Sequence, residues 1–221
     1  MERVQGESID WVSRHWRGPA GEFHAMDLGA DRSVWLCTVD GPALILGSGQ
    51  SLDEVDATRA ARDSIQVVKR RSGGGAVFVD VEDCIWIDVT IPRADPLWCD
   101  DVGESMLWLG EAFVEALAPW AEAEVHRGPY ASGRSGRRVC FASRSPGEVF
   151  VDGVKLIGIS QRRTREGARF QCAMYRRWNP SRWSGLLVGA DAAGDADSLD
   201  VAVLATTGAD VLDALLAVLP R

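Results

Sequence analysis

The sequence has no long apolar segment and a shortage of positive charge. No run approaches the 18 apolar residues of a membrane helix, and residues 1–7 contain neither a basic leader nor an apolar stretch. We therefore expect a cytoplasmic protein that does not bind a membrane. Lys and Arg number 24 against 32 Asp and Glu, a net charge of −8. A broad nucleic-acid surface is not expected, and any anion site has to be local.

Paired cysteines and metal-binding patterns are also missing. The five cysteines are widely scattered and include no C-x-x-C pair, so we expect reduced core residues rather than a zinc site or disulfide framework. The acidic segment 191–198 lacks the alternating ligands and closing Glu of a calcium loop. It is interpreted as a solvated loop, and no metal site is predicted.

Common catalytic templates are absent as well. The sequence contains no G-x-x-x-x-G-K-[ST], G-x-G-x-x-G, H-E-x-x-H or G-x-S-x-G pattern. Only His15, His24 and His126 could supply a histidine base, and none lies in a triad setting. We interpret them as partly exposed structural residues, so histidine catalysis is not supported.

The chain has 221 residues, of which 46% are hydrophobic and 25% charged, as in one ordinary globular domain spanning residues 1–221. Strands cluster in sequential hairpins with helices between the groups, which predicts an α+β fold. It would contain a mixed, largely antiparallel sheet with flanking helices. The predicted strands are 33–39 and 43–46, joined as a hairpin by Asp40-Gly41-Pro42, then 65–68, two within 76–90, 124–126, 138–141, 148–151, 154–159 and 169–174.

Three helices are predicted. One covers residues 52–63, and the last covers 211–219 after a capping box at 207–210. The middle helix begins at an Asp101 cap and ends at Pro119. Its expected core face consists of Val102, Met106, Leu109, Phe113 and Leu117.

A cationic, glycine-rich segment interrupts this pattern at residues 69–78, Lys-Arg-Arg-Ser-Gly-Gly-Gly-Ala-Val-Phe. Glycine lets backbone N–H groups approach a ligand closely, so the loop could cradle a carboxylate or phosphate while the arginines supply charge. The plain alternative is a flexible hairpin between two strands.

A lysine opens a later predicted strand. Lys155 follows the turn glycine Gly153 and precedes Gly158 by three residues. A lysine directed into a pocket would hold an anion by its point charge, and Gly158 would leave room for a slender ligand. The alternative is a surface lysine on an edge strand.

Together with Leu-Ile-Leu-Gly-Ser-Gly-Gln at 44–50, these two segments resemble the lipoate–protein ligase family of the biotin/lipoate ligase and octanoyltransferase superfamily. The resemblance runs from about 33 to 174, with a helical tail at 175–221. Arg-Arg-Ser-Gly-Gly-Gly resembles the lipoyl-site loop, and Gly153-Val-Lys155-Leu-Ile-Gly158 resembles the G-x-K-x-x-G strand. The G-R-G-R-x-G-R loop of the biotin branch is absent.

The resemblance implies an enzyme that attaches a lipoyl or octanoyl group to a lysine of a lipoyl carrier domain, in 2-oxoacid dehydrogenase complexes or the glycine cleavage protein. In the ligase branch the acid is first adenylated with ATP and Mg²⁺. Lys155 would hold the acyl carboxylate and phosphate, and Arg70 and Arg71 would contact phosphate or fix the loop. The other implied substrate-binding residues are Ser72, Gly73, Gly74, Gly75, Ala76, Gly153 and Gly158.

Cys140 introduces a second hypothesis, because cysteine-dependent octanoyltransferases of this superfamily carry an acyl thioester on a cysteine that precedes the motif lysine and need no ATP. A nearby ammonium would lower its thiol pKa. The alternative is a buried strand cysteine.

A third hypothesis is a non-catalytic module that binds lipoate or a lipoyl domain, because Val79 and Gln171-Cys172 stand where many relatives have histidines. The accessory C-terminal domain of long ligases is also missing. We therefore expect either an accessory subunit or transferase activity.

Overall fold

The computed structural model describes residues 10–29, 31–133, 135–189 and 196–221. These residues form ten strands and four α-helices, together with short 3-10 helices. In chain order the elements are β1 (Val12–Gly18), α1 (Ala20–Ala25), β2 (Ser33–Val39), β3 (Ala43–Leu46), α2 (Ala57–Arg62), β4 (Gln66–Lys69), β5 (Val77–Val79), β6 (Cys84–Pro92), α3 (Leu107–Leu117), β7 (Glu124–Val125), β8 (Val149–Val151), β9 (Val154–Arg163), β10 (Gly167–Tyr175) and α4 (Gly208–Val218).

Seven strands form one sheet in the order β1-β2-β6-β10-β9-β8-β7. Only β1 and β2 are parallel among its pairs, and the other five pairs are antiparallel. This arrangement confirms the predicted mixed, largely antiparallel α+β fold.

Three strands form a second sheet in the order β4-β3-β5, with β4 parallel and β5 antiparallel to β3. The predicted hairpin at Asp40-Gly41-Pro42 is therefore wrong: β2 belongs to the large sheet and β3 to the small one. Both edges of β3 are occupied by β4 and β5, and all four of its residues are buried. A local turn signal predicts the change of direction, but tertiary pairing decides which strands become neighbours.

The main core lies where α3 and α4 pack against the large sheet. The helix predicted from Asp101 begins later, at Leu107, because the Asp101 carboxylate accepts hydrogen bonds from Gly103 and Glu104 in a preceding turn. Val102 is 59% exposed and does not belong to the core face, whereas Met106, Leu109, Phe113 and Leu117 are buried. The capping box before α4 is present, between Thr207 and Asp210.

Two further predicted elements differ from the structure. The helix predicted over 52–63 is divided into a 3-10 helix, Leu52–Glu54, and α2, because Ser51 and Asp56 each cap a separate start. The strand predicted over 138–141 is a single bridge from Val139 to Ala76 followed by the 3-10 helix Cys140–Ala142. Most of the acidic segment 191–198 lies outside the described residues. None of the described helices is long and apolar enough to span a bilayer.

Candidate active site

A cavity lies between the two sheets and encloses about 400 Å³ of atom-free space, part of it open to solvent. The small sheet contributes Ile45, Val77 and Val79 to its wall, and the rest comes from the glycine-rich loop, α1, β6, β9, β10 and the turn after Val139. Those other lining residues are His24, Arg70, Trp86, Cys140, Phe141, Gly158, Ser160, Gln171, Cys172 and Ala173. The wall is mostly apolar with a few polar groups, as is usual for small-molecule sites.

The glycine-rich loop borders this cavity and is not a hairpin. It joins β4 to β5, which lie on opposite sides of β3, so the loop crosses the end of β3. Ser48 N–H donates to the Ser72 carbonyl at 2.9 Å. A Cβ added to Gly47 would collide with the Gly74 carbonyl, so these two backbones meet without space for a side chain.

Residues 138–140 form backbone hydrogen bonds with the other side of the glycine-rich loop. Ala76 N–H donates to the Arg138 carbonyl at 2.7 Å, and Cys140 N–H donates to the Ala76 carbonyl at 3.0 Å. A Cβ on Gly75 would lie 2.7 Å from the Val139 backbone. Gly74 has φ +95, which an L side chain rarely adopts. The loop is therefore fixed by backbone contacts on both sides.

The two arginines of the loop differ in environment. The Arg70 guanidinium is buried and donates to the carbonyls of Ile45 (3.1 Å), Gly73 (2.7 Å) and Gly75 (2.9 Å). Its Nε has no hydrogen-bond partner, and no carboxylate pairs with it within the described ranges. Burial lowers the Arg70 pKa from its usual value. Arg71 is exposed and lines a neighbouring cleft instead.

A β-bulge in β9 determines the direction of Lys155. One step on β8, from Val149 to Phe150, corresponds to two steps on β9, from Ile157 to Lys155. Leu156 and Ile157 consequently both belong to the main core. Lys155 therefore lies on the opposite face, the one that Gly158 shares, and it reaches the turn at Cys140.

Lys155 is buried in an ion pair rather than free in the cavity wall. Its Nζ lies 2.7 Å from Glu148 Oε2 and donates to the Cys140 carbonyl at 3.0 Å. The Phe141 ring centroid is 5.7 Å from Nζ. Burial raises the Glu148 pKa, and the Lys155 charge opposes that shift. The ammonium thus sits directly behind the Cys140–Phe141 part of the cavity wall.

The Cys140 thiol lies between the glycine loop and β9. A Cβ added to Gly158 would be 3.6 Å from Sγ, and one added to Gly74 would be 4.0 Å from it. Burial raises the thiol pKa above its usual value, although the charges of Lys155 and Arg70 act in the opposite direction. The neutral thiol is therefore the dominant form at pH 7.

A chain of polar side chains lies further along β9 and β10. Ser72 hydroxyl donates to Gln171 Oε1 at 2.6 Å, and Gln171 Nε2 donates to His24 Nδ1 at 3.0 Å. Ser160 is 3.1 Å from the Ser72 hydroxyl. His24 is buried and stacks on Trp86 with ring centroids 4.9 Å apart. Burial and two nearby arginines lower the His24 pKa to about 3, so the ring stays neutral.

A second, larger cleft lies next to this polar chain and holds about 860 Å³, including open solvent. Arg71 and Arg162 line it, and neither forms an ion pair with a described residue. Asp27 and Glu166 are also part of its wall. The cleft beside the glycine loop therefore presents two arginines that are unpaired in the described part of the chain and two carboxylates, and a third lining arginine, Arg169, is paired with Asp88.

The predicted residues are therefore largely brought together. Arg70, Cys140 and Gly158 line the cavity, and Ser72, Gly74, Gly75 and Ala76 belong to the loop beside it. Gly73 is exposed on the loop, Arg71 faces the adjacent cleft, and Lys155 lies behind the wall. Gly153 is a residue of the tight β8–β9 turn and is not among the lining residues.

Sequence reasoning missed two residues of the site. His24 was expected to be partly exposed, yet it is buried in the cavity wall, and no motif marks it. For Glu148 the sequence does offer one indication of a special role, because it is an acidic residue at the start of an otherwise apolar predicted strand.

Comparison with known proteins identifies the family. Residues 23–201 match the model of the lipoyl protein ligase A/B catalytic domain. The chain belongs to this family. No curated protein sequence is a significant match to it.

Solved structures of family members share the fold. A bi-partite lipoate protein ligase of Thermoplasma acidophilum, studied with its E2 lipoyl domain, is 17% identical, with a TM-score of 0.71 over 95% of this chain and 82% of that one. A T. acidophilum protein with bound lipoic acid is 16% identical, with a TM-score of 0.65 over 94% and 83%. Lipoate-protein ligase A bound with ATP is also 16% identical, with a TM-score of 0.65 over 93% and 82%.

Proposed function

We propose that this protein is a lipoate–protein ligase that joins lipoate, through an acyl adenylate, to a lysine of a lipoyl carrier domain. The carrier would belong to a 2-oxoacid dehydrogenase complex or the glycine cleavage system. The observation that carries the proposal is the meeting of two family motifs at one cavity. The Cys140 turn contacts both the glycine loop through Ala76 and the Lys155 ammonium through its carbonyl.

The reaction has two steps. A carboxylate oxygen of the acid attacks the α-phosphorus of ATP and diphosphate leaves; the acceptor lysine amine then attacks the acyl carbon, loses a proton, and AMP leaves. Both steps place negative charge on oxygen. Arg70, which has no acid partner among the described residues, supplies positive charge on the side of the cavity where Cys140 lies, and preorganised charge of this kind stabilises such transition states. Lys155 lies behind this wall, where Glu148 balances its charge.

The cleft lined by Arg71 and Arg162 fits the nucleotide. Arg71 and Arg162 offer two charged forks for phosphate oxygens. Mg²⁺ is usually held by substrate phosphates and one or two carboxylates, a role that Asp27 and Glu166 could fill. Relatives of the same fold have structures with bound ATP and with bound lipoic acid, which supports these two ligands for the proposed reaction.

A thioester transferase through Cys140 is the second candidate. It is favoured by one observation, the presence of the thiol in the cavity wall between Gly74 and Gly158. The raised pKa of that thiol favours the ligase, because the thiolate is the nucleophile.

The test is to incubate the protein with an apo lipoyl domain and lipoate, with and without MgATP, and to weigh the lipoyl domain. The ligase predicts an added lipoyl group only with MgATP. Parallel reactions with octanoyl carrier protein and no ATP test the transferase. Reactions supplemented with a separate accessory subunit test a two-part ligase, as the bi-partite relative suggests. An unmodified lipoyl domain in every reaction would refute both activities.

A further inference from the structure

Two buried side-chain nitrogens in the cavity wall have no partner among the described residues: Nε of Arg70, near Cys140, and Nε2 of His24. The amide of Gln171 is oriented by its neighbours: its nitrogen donates to His24, while its oxygen accepts from Ser72. Nδ1 of His24 is therefore an acceptor, and the neutral ring carries its proton on Nε2. That nitrogen is buried and has no partner among the residues that the structure describes.

The positions of Lys155 and His24 relative to β9 indicate which part of a bound acid would lie next to His24. Lys155, Gly158 and Ser160 follow one another on one face of β9, and Ser160 pairs with Gln171, the partner of His24. The lysine and the histidine are therefore at opposite ends of this face. Ser160 lies five steps along the strand from Lys155, a distance on the order of 15 Å. If the carboxylate of the acid lies at the Cys140 end of the cavity, as the proposed function has it, the tail extends toward His24.

We propose that the Nε2–H of His24 binds an acceptor atom at the tail of the acyl group and makes the pocket select lipoyl over octanoyl. This inference rests on the proposed function. A saturated hydrocarbon tail leaves the buried donor unsatisfied, which is unfavourable. A dithiolane sulfur is a weak acceptor, and it also gains contact with the aromatic ring of Trp86, which lines the same cavity.

The size of the preference follows from this chemistry. A site that is built to hydrogen-bond a substrate discriminates against an analogue that lacks the bonding atom, because the donor of the site is left unpaired. Sulfur is a weaker acceptor than oxygen. We therefore expect lipoate to be preferred over octanoate by about three- to tenfold, rather than by several orders of magnitude.

The experiment measures binding of lipoate and of octanoate to the full chain by calorimetry, and kcat/KM for transfer of each acid. His24→Phe keeps an aromatic ring against Trp86 and removes the donor. It should reduce the ratio of lipoate to octanoate affinity about three- to tenfold, mainly through weaker lipoate binding. His15→Phe is the matched control, because His15 is exposed on β1, and its ratio should equal that of the wild type.

A second measurement does not depend on the folding of a variant. In ¹⁵N-histidine-labelled protein, lipoate should shift the Nε2 resonance of His24, while octanoate should leave it nearly unchanged. Equal wild-type affinities for the two acids, or a ratio that His24→Phe leaves unchanged, would overturn the inference. If both acids bind with the expected preference and no lipoyl domain is ever modified, the proposed ligase function fails and the pocket assignment stands.

Discussion

Lys155 and Glu148 form an ion pair in which Nζ and Oε2 are 2.7 Å apart and the side chains are 1% and 2% exposed. Two charges removed from water in this way depend on each other, because either one alone would be a buried, uncompensated charge. The pair fixes the ammonium against the Cys140 carbonyl. Glu148 is therefore a positioning residue for the lysine that the family resemblance singles out.

We expect Lys155→Ala to abolish transfer and also to lower the free energy of unfolding by about 3 to 5 kcal/mol, because Glu148 stays behind without a partner. The double variant Lys155→Met, Glu148→Met removes both charges and should recover most of that stability while remaining inactive. Urea unfolding and lipoyl-domain modification measure the two effects separately. A double variant less stable than Lys155→Ala would contradict this account of the pair.

Arg70 and Arg71 should respond differently to substitution by lysine. Arg70→Lys loses a planar fork that holds three carbonyls, so it should lower both thermal stability and activity. Arg71→Lys changes an exposed side chain and should leave the melting temperature within about 1 °C while raising the KM for ATP. Melting curves and ATP titrations distinguish the two, and a similar loss of stability in both variants would argue against the loop-fixing role of Arg70.

Alanine substitutions at Gly47 and Gly49, two residues apart, should have different effects. Gly47→Ala puts a Cβ into the Gly74 carbonyl, so the loop has to move and binding of the acid should weaken at least tenfold. Gly49→Ala meets nothing within 4 Å and serves as the control, with wild-type affinity expected. Calorimetry with lipoate gives both affinities. Equal affinities would mean that the glycine loop adjusts freely.

Sequence patterns predicted where the strands and helices lie better than they predicted which strands pair with one another. The apolar runs at β2 and β3 are real strands, but they belong to different sheets because β1 and β6 occupy the two edges of β2, and β4 and β5 occupy the two edges of β3. The glycine loop and the lysine strand could be found from composition and family resemblance. The Glu148 pair and the His24 chain could not, because each joins residues that are brought together only by the sheet.

The reactivity of the Cys140 thiol distinguishes the ligase from the transferase. Because burial raises its thiol pKa, it should react with iodoacetamide at pH 7 far more slowly than the same thiol in urea-unfolded protein. Cys140→Ala should retain ATP-dependent transfer. Intact-mass spectra report both the alkylation rate and any acyl adduct. Rapid alkylation of the native protein, together with an octanoyl adduct on Cys140, would favour the transferase instead.

His24 should also make stability depend on pH. The folded protein keeps the ring neutral down to about pH 3, whereas the unfolded chain takes up a proton near pH 6.5. The contribution of His24 is therefore complete above pH 6.5 and is lost as the pH falls toward 3, at about 1.4 kcal/mol per unit. Melting temperatures between pH 7 and 4.5 should fall less steeply in His24→Phe. Parallel slopes would show that His24 is not buried in its neutral form.

The bulge in β9 explains the odd spacing of the lysine motif. Side chains alternate along an uninterrupted strand, so residues three apart, such as Lys155 and Gly158, would face opposite sides. The extra residue at Leu156 puts both on the ligand side. If the strand were straightened without removing a residue, the alternation would turn the ammonium toward the hydrocarbon core, whereas removing the extra residue would leave lysine and glycine two positions apart and on one face. The G-x-K-x-x-G spacing therefore carries information about backbone shape as well as residue type, because a lysine and a glycine three residues apart share one face only where the strand has a bulge.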